Sequence, residues 1–265
     1  ILLIKFIMIV NDKYEIKSEL GSGAFGKLYM GKHIYTGVSV AIKLQSDDGA
    51  VIIQNEARIL KLLLDVEGVP KIKTFGKQDG IYYMVIELLS EPAERFFKNI
   101  GIRDILSNMI ELVRIIESVH NVGVIHRDIK PDNILFTKLG KICLIDFGLS
   151  TMYIDVNGRH ISQLSNREIL GSINYISVNI HNGSNPSRRD DLISFCYMMF
   201  KFITGNLPWD NVEIDDICII KETIDIRDYY KEKIHSDILD LYDYCNSIEF
   251  KETPNYDYIC KHLLI

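Results

Sequence analysis

Along residues 11–89 the apolar positions come in short runs broken by turn residues. Tyr14 to Leu20, Lys27 to His33 and Val38 to Leu44 are rich in β-branched and aromatic residues, and Gly or Thr-Gly separates them. That pattern predicts three strands. Residues 51–64, VIIQNEARILKLLL, repeat their apolar positions at helical spacing and predict one helix. Ile81 to Leu89 is a nearly continuous apolar run, the pattern of a strand buried on both faces, and Pro92 closes this part. The rest of the chain reads as helix. Over 102–120 apolar side chains fall at Ile102, Ile105, Leu106, Met109, Leu112, Val113, Ile116 and Val119, which predicts an amphipathic helix ended by Asn121 and Gly123. Residues 191–204 are apolar on every face except at Lys201, as in a helix running through the middle of a domain. Ser236 opens a last amphipathic helix, SDILDLYDYC. The sum is an α+β chain with a small sheet-based lobe and a larger helical lobe, joined near Leu88 to Glu91. Clefts between two such parts are common ligand sites.

Composition narrows the class. The chain has 265 residues, enough for one or two domains with a core. With 47% apolar and 25% charged residues, wholesale disorder, collagen and a multi-span membrane protein are excluded. The net charge of -6 is uneven, because residues 205–265 hold 14 acidic and 6 basic side chains. A whole-protein basic footprint for nucleic acid is absent, so no nucleic-acid partner is expected. Cys143, Cys196, Cys218, Cys245 and Cys260 are scattered, and the histidines lack metal spacing. Reduced thiols in the cytoplasm or nucleus fit better than a zinc site or a disulfide framework. Ile1 to Val10 is apolar apart from Lys5. It is too short for a span of about 20 helical residues. It also lacks a basic flank and a small-residue cleavage site. It reads as a leading strand or as the continuation of upstream sequence.

The candidate chemistry starts at Gly21-Ser22-Gly23-Ala24-Phe25-Gly26. Glycines let backbone N–H groups approach phosphate oxygens. Alone the pattern is weak: a plain hairpin or the opening of a dinucleotide fold has it too. The dinucleotide version needs a helix directly after the glycines, whereas Lys27-Leu28-Tyr29-Met30 reads as strand. Val40-Ala41-Ile42-Lys43 then places a lysine in an apolar strand, where it needs an anionic partner. Glu56, on the predicted helix, could supply it; the bland alternative is two solvated side chains. The stronger set is His126-Arg127-Asp128-Ile129-Lys130-Pro131-Asp132-Asn133, followed by Asp146-Phe147-Gly148 at the end of the apolar strand Ile142 to Ile145. Phosphoryl transfer needs an acceptor for a hydroxyl proton, a task for Asp128. It also needs oxygen ligands for a Mg²⁺ that bridges phosphates, a task for Asn133 and Asp146. Each piece could be a turn or a strand end; all of them in order leave little room for that.

In this order and spacing the motifs resemble the eukaryotic-type protein kinases from about Tyr14 to Leu264. The resemblance implies a two-lobed α+β kinase fold over 12–265, with lobes of about 12–89 and 90–265 behind an apolar segment 1–11. It implies ATP and Mg²⁺ as cofactors and protein substrates. Leu20, Gly21, Ser22, Gly23, Ala24, Phe25, Gly26, Lys27 and Leu28 would cover the phosphates. Lys43, held by Glu56, would position them. Adenine would meet the backbone of Glu87 to Leu89, with Leu28 and Ala41 above and Leu135 below. Lys130 resembles the serine/threonine branch, where it neutralises charge on the transferred phosphate.

Within that branch Gly171-Ser172-Ile173-Asn174-Tyr175-Ile176-Ser177-Val178-Asn179, Ser187-Arg188-Arg189-Asp190-Asp191-Leu192 and Leu207-Pro208-Trp209 are similar to the casein kinase 1 family. The resemblance implies a monomer, active without phosphorylation of its activation segment, with acidic or already phosphorylated protein substrates. The chain departs from that pattern at Asn174, where an Arg is expected, and at Ser150 or Thr151, where a Lys is expected. Arg127, Arg167 and Arg188 remain as candidate anion readers, with Arg189 beside them. Weaker selection for a phosphorylated substrate is the expectation. Asp191 is expected to anchor the catalytic loop and Trp209 to sit in the core. The rival readings are a pseudokinase scaffold, although no catalytic residue is lost, and a nucleotide-binding oxidoreductase, in which Asp128, Asn133 and Asp146 would have no role.

Overall fold

The computed structural model describes residues 8–23, 26–98 and 100–265. Its N-terminal part is an antiparallel sheet of β1 (Ile9–Val10), β2 (Tyr14–Gly23), β3 (Gly26–His33), β4 (Ser39–Gln45), β5 (Ile72–Gln78) and β6 (Ile81–Glu87), in the order β1-β2-β3-β4-β6-β5. Helix α1 (Ala50–Leu62) packs against β5 and β6. Side chains alternate across a sheet, and the register sorts them. Gly21 pairs with Leu28, Leu28 with Lys43, and Lys43 with Met84, so these positions share one face. Met84 joins Ile53, Ala57 and Leu60 of α1 in the main core. The other face buries Val40, Ile42, Tyr83 and Val85 in a second, smaller core with Val10 and Tyr14.

That second core accounts for part of the apolar start. Ile9 and Val10 form a leading strand on β2, and Val10 covers the outer face of the sheet. The earlier part of that run, 1–7, lies outside the described residues. The run at Ile81 ends as a strand at Glu87 rather than Leu89, and only Tyr83 to Val85 are fully buried. Glu87 N–H donates to the Lys71 carbonyl at 3.0 Å and so extends the β5–β6 pairing by one more bond.

The C-terminal part is built on two helices. In α3 (Ile102–Asn121) the predicted apolar stripe is buried except for Ile102, which is 48% exposed at the first turn. Helix α5 (Arg188–Thr204) is buried from Asp190 to Phe200. It begins three residues before the apolar run, because Ser187 and Asp190 close a capping box, and it ends at Gly205 in the left-handed conformation. Short helices α2 (Ala93–Phe97), α4 (Val178–His181), α6 (Ile217–Thr223) and α7 (Ile226–Tyr230) fill the periphery with α8 (Ser236–Ser247). Helix α8 is not the last. Helix α9 (Tyr256–His262) follows, capped by Asn255, in a stretch too short to show a clear helical period.

Five small strands fix the loops that matter: β7 (Glu91–Pro92), β8 (Val124–Ile125), β9 (Ile134–Phe136), β10 (Ile142–Leu144) and β11 (Thr151–Met152). The β9–β10 hairpin has Asn133 just before it and Asp146 two residues after it, and Ile145 N–H donates to the Asn133 carbonyl at 2.9 Å. Among the described residues, no helix is long and apolar enough to cross a membrane. All five cysteines are free thiols. Trp209 is 1% exposed, packs edge-on against Tyr197 and donates its indole N–H to the Asn174 carbonyl at 2.9 Å. Trp209→Ala is expected to lower unfolding stability by about 3–5 kcal/mol, read by urea titration.

Candidate active site

The site begins with a buried lysine. Lys43 lies in the middle strand of the sheet, on the face turned toward α1, and its Nζ donates to Glu56 Oε2 at 2.6 Å. Glu56 falls in the apolar stripe of α1, with Ile53, Ala57 and Leu60, so the helix aims it inward, where it is 3% exposed. Asp146 Oδ1 stands 3.7 Å from the same Nζ. Burial works against the charge on both partners of the pair. It leaves the Glu56 carboxyl above its ordinary value against the pull of Lys43. It also opposes the charge on Lys43, yet the carboxylates of Glu56 and Asp146 still lift that pKa above its usual level. A charged lysine is thus held between Glu56 and Asp146.

Asp128 sits below it in the loop between β8 and β9. Its Oδ2 lies 2.8 Å from Lys130 Nζ, and its Oδ1 accepts the Ser172 N–H at 2.9 Å. Asn133 Nδ2 donates to the Asp128 carbonyl at 2.8 Å and to its carboxylate at 3.2 Å. Lys130 Nζ also donates to Ser172 Oγ at 2.8 Å. Burial opposes ionisation of Asp128, but the Lys130 and Ser172 donors outweigh it and hold the carboxyl below its ordinary value. It is therefore an ionised acceptor, fixed in direction from three sides.

A second buried carboxylate holds this loop. Arg127 adopts φ 74°, a left-handed conformation that is costly for a long side chain. Asp191, on α5 and 2% exposed, accepts the N–H of His126 at 2.7 Å and of Arg127 at 2.8 Å. His120 Nε2 donates to the same carboxylate at 2.9 Å, and the Tyr256 hydroxyl donates to His120 Nδ1 at 2.6 Å. Burial resists the charge on Asp191, but these donors keep its carboxyl below the usual range. The His126 ring bridges the loop to the segment after β10: its Nε2 donates to the Ile145 carbonyl at 2.9 Å, and its Nδ1 accepts the Asp128 N–H at 3.2 Å. The ring also meets Phe147 edge-on at 4.7 Å. Asp146 itself is at φ 62°, which turns its carboxylate back toward Lys43.

A family model described as Protein kinase domain matches residues 14–265. The chain belongs to the protein kinase family. The family implies ATP as phosphoryl donor and proteins as acceptors. The sheet-rich and helical parts described above are the two lobes of this kinase fold.

The remaining predicted residues are placed as follows. The glycine-rich stretch is the β2–β3 hairpin, with Gly23 opposite Gly26. Gly26 has φ +101°, and a side chain there would run into Gln45 and the Leu44 carbonyl. A Cβ on Gly21 would meet nothing within 4 Å, so that backbone is open. Leu20, Ser22 and Lys27 are exposed, and Leu28 is half-buried on the Lys43 face. Ala24 and Phe25 lie outside the described residues. Ala41 is buried; Glu87, Leu89 and Leu135 are half-buried. Arg127 and Arg167 line one cavity of about 490 Å³, which also holds Glu168. Arg188 does not join them. It lies over the Tyr153 ring at 4.7 Å and donates to the carbonyls of Lys251 and Glu252, which removes it from the anion-reading set.

Two parts of the site, Asn55 and Tyr256, had no clear signal in the sequence. Asn55 Nδ2 donates to the carbonyls of Gly148 and Ser150, both at 2.9 Å, and so ties α1 to the segment behind Asp146. Gly148 is a glycine because Ile52 of α1 leaves no room for a Cβ. Tyr256 reaches His120 across 136 positions of sequence. Ser172, by contrast, sits directly after Gly171 in the motif that also holds Tyr175. The depressed carboxyl of Asp191 contributes stability that is present above the ordinary carboxylate range and lost as pH falls through its lower folded value. Asp191→Asn is therefore expected to cost about 1–3 kcal/mol near neutral pH. The gap from the wild type should close only in strong acid, as measured by urea unfolding at a series of pH values.

Proposed function

We propose that this kinase is a serine/threonine protein kinase resembling the casein kinase 1 family, which transfers the γ-phosphoryl of ATP to Ser or Thr hydroxyls of proteins, acidic ones among them. The observation that carries the reading is the pairing of two clusters: Lys43 with Glu56 and Asp146, and Asp128 with Lys130 and Asn133, joined where the Ile145 N–H next to Asp146 binds the Asn133 carbonyl. A pseudokinase scaffold would have no need of an ionised, three-way-fixed Asp128.

In this reading Lys43, held by Glu56, positions the α- and β-phosphates beneath the β2–β3 hairpin. The hinge backbone from Glu87 to Leu89 holds adenine, with Leu28 and Ala41 on one side and Leu135 on the other. The oxygens of Asn133 and Asp146 are the hard donors that Mg²⁺ takes, and phosphate oxygens complete such a shell. Mg²⁺ bound there would neutralise charge between the phosphates. Asp128 orients the acceptor hydroxyl and takes its proton, and Lys130 stabilises charge on the transferred group. Catalysis of this kind is mostly positioning and electrostatics. The family resemblance supports a monomer, the scattered thiols fit the cytoplasm or nucleus, and the charge distribution fits a partner other than nucleic acid.

Incubation with Mg·ATP and a casein-like acidic protein tests the reading. Phosphoserine or phosphothreonine is expected with the wild type and none with Asp146→Asn. No transfer by the wild type, and no difference from the variant, would establish the scaffold instead. With Arg188 bound to the Lys251 and Glu252 carbonyls and Arg189 to the Ile248 carbonyl, the anion reading falls to Arg127 and Arg167, beside which Glu168 adds a like charge against phosphate. Peptides with and without a phosphoserine three residues before the acceptor are accordingly expected to differ in kcat/KM by less than about tenfold. A much larger preference for the phosphorylated peptide would contradict this.

A further inference from the structure

Lys221 belongs to no part of the machinery described so far. It lies on α6, is 5% exposed, and takes part in none of the ion pairs found among the described residues. Its three ammonium protons have three neutral acceptors: the Ile173 carbonyl at 2.8 Å, the Ile176 carbonyl at 2.8 Å and His181 Nε2 at 3.2 Å. The rings of Tyr197 and Trp209 each lie 5.0 Å from its Nζ. A buried ammonium with no counter-ion is expensive. Its place therefore matters: the carbonyl at Ile173 follows directly on Ser172, whose N–H and hydroxyl meet Asp128 and Lys130.

We propose that Lys221 is a positioning residue for the acceptor side of the active site: its ammonium clamps the 172–176 turn that carries Ser172, and loss of its charge loosens that turn. The catalytic half of this inference rests on the kinase reading; the clamp itself does not.

The surroundings leave Lys221 as the group that titrates near neutrality. Burial pushes its pKa down to about 7, with the nearby Cys218 working weakly the other way. Burial, with Lys221 next to it, pushes His181 on α4 down to about 4, so its imidazole is neutral and Nε2 accepts. Burial raises Cys218 on α6 and lifts Tyr197 on α5 well above its ordinary value, so both stay neutral. Glu222 on α6 is bound to Asn182 Nδ2, and Asp210 beyond Trp209 to Lys201. The sign follows. The unfolded chain binds the lysine proton more tightly than the fold does, so this group makes the fold more stable as pH rises above about 7. The clamp weakens over the same range. Activity and stability should therefore move in opposite directions, which a merely structural lysine would not produce.

The test compares the wild type with Lys221→Met and Lys221→Arg. It reads kcat and KM for an acidic protein acceptor, KM for Mg·ATP, and hydrogen exchange at the 172–176 amides, at about pH 6 and about pH 8.5. The ratio of wild-type to Lys221→Met turnover is expected to be about tenfold at the lower pH and clearly smaller at the higher, where the neutral amine keeps two N–H donors but no charge, with KM for Mg·ATP unchanged. Exchange at 172–176 should be slower in the wild type at the lower pH only. Lys221→Arg, permanently charged, should lose the pH step, and that comparison still decides if Lys221→Met does not fold. A pH-independent ratio, or exchange that is the same in all three proteins, overturns the proposal. If the wild type transfers no phosphate, the kinase reading fails, while exchange still decides the clamp.

Discussion

The Asp191 carboxylate is the group on which the geometry of the catalytic loop depends. Arg127 cannot hold a left-handed backbone alone, and the turn it makes sets the direction of Asp128. Asp191 pins that turn by accepting two consecutive backbone N–H groups, and His120 and Tyr256 complete its shell. A buried carboxylate is tolerable only when it is saturated in this way. It has to sit on an element that does not move. Helix α5 is such an element, because its side chains are buried from Asp190 to Phe200. The apolar character of residues 191–204 is therefore part of the active site, although none of those apolar side chains faces the reactants.

The N-terminal lobe solves a complementary problem. Lys43 must stay charged while largely buried, and two carboxylates make that possible. Sheet parity places Lys43 on the α1 face, and helical parity places Glu56 on the sheet face. Asn55, one residue earlier on α1, binds the carbonyls after Asp146. The same helix therefore couples the lysine to the metal-binding candidate in the other lobe. A shift of α1 would break both connections together.

Most of this arrangement was legible in the sequence, for a physical reason. Residues whose chemistry is fixed by spacing along one segment, such as Asp128 with Asn133, or Asp146 after a buried strand, leave a local trace. So do Lys43 and Glu56, since a charge in an apolar stripe stands out. Contacts that depend only on how distant helices pack leave none: Tyr256 on His120, Asn55 on Gly148, and Lys221 on the 172–176 turn. Arg188 shows the opposite error. Its sequence context suggested an anion reader, but packing turned it onto Tyr153 and two carbonyls. Helix α9 escaped notice because seven residues are too few to display a period.

The central claim is that Asp191 governs chemistry without touching the reactants, through the loop that carries Asp128. Single-turnover transfer from Mg·ATP, at saturating nucleotide and acceptor, tests it most directly in Asp191→Asn and Asp128→Asn, each assayed under conditions where the variant is folded. Both variants are expected to bind Mg·ATP as the wild type does and to transfer phosphate at least about a hundredfold more slowly. An Asp191→Asn enzyme that binds nucleotide normally and transfers at the wild-type rate would contradict it.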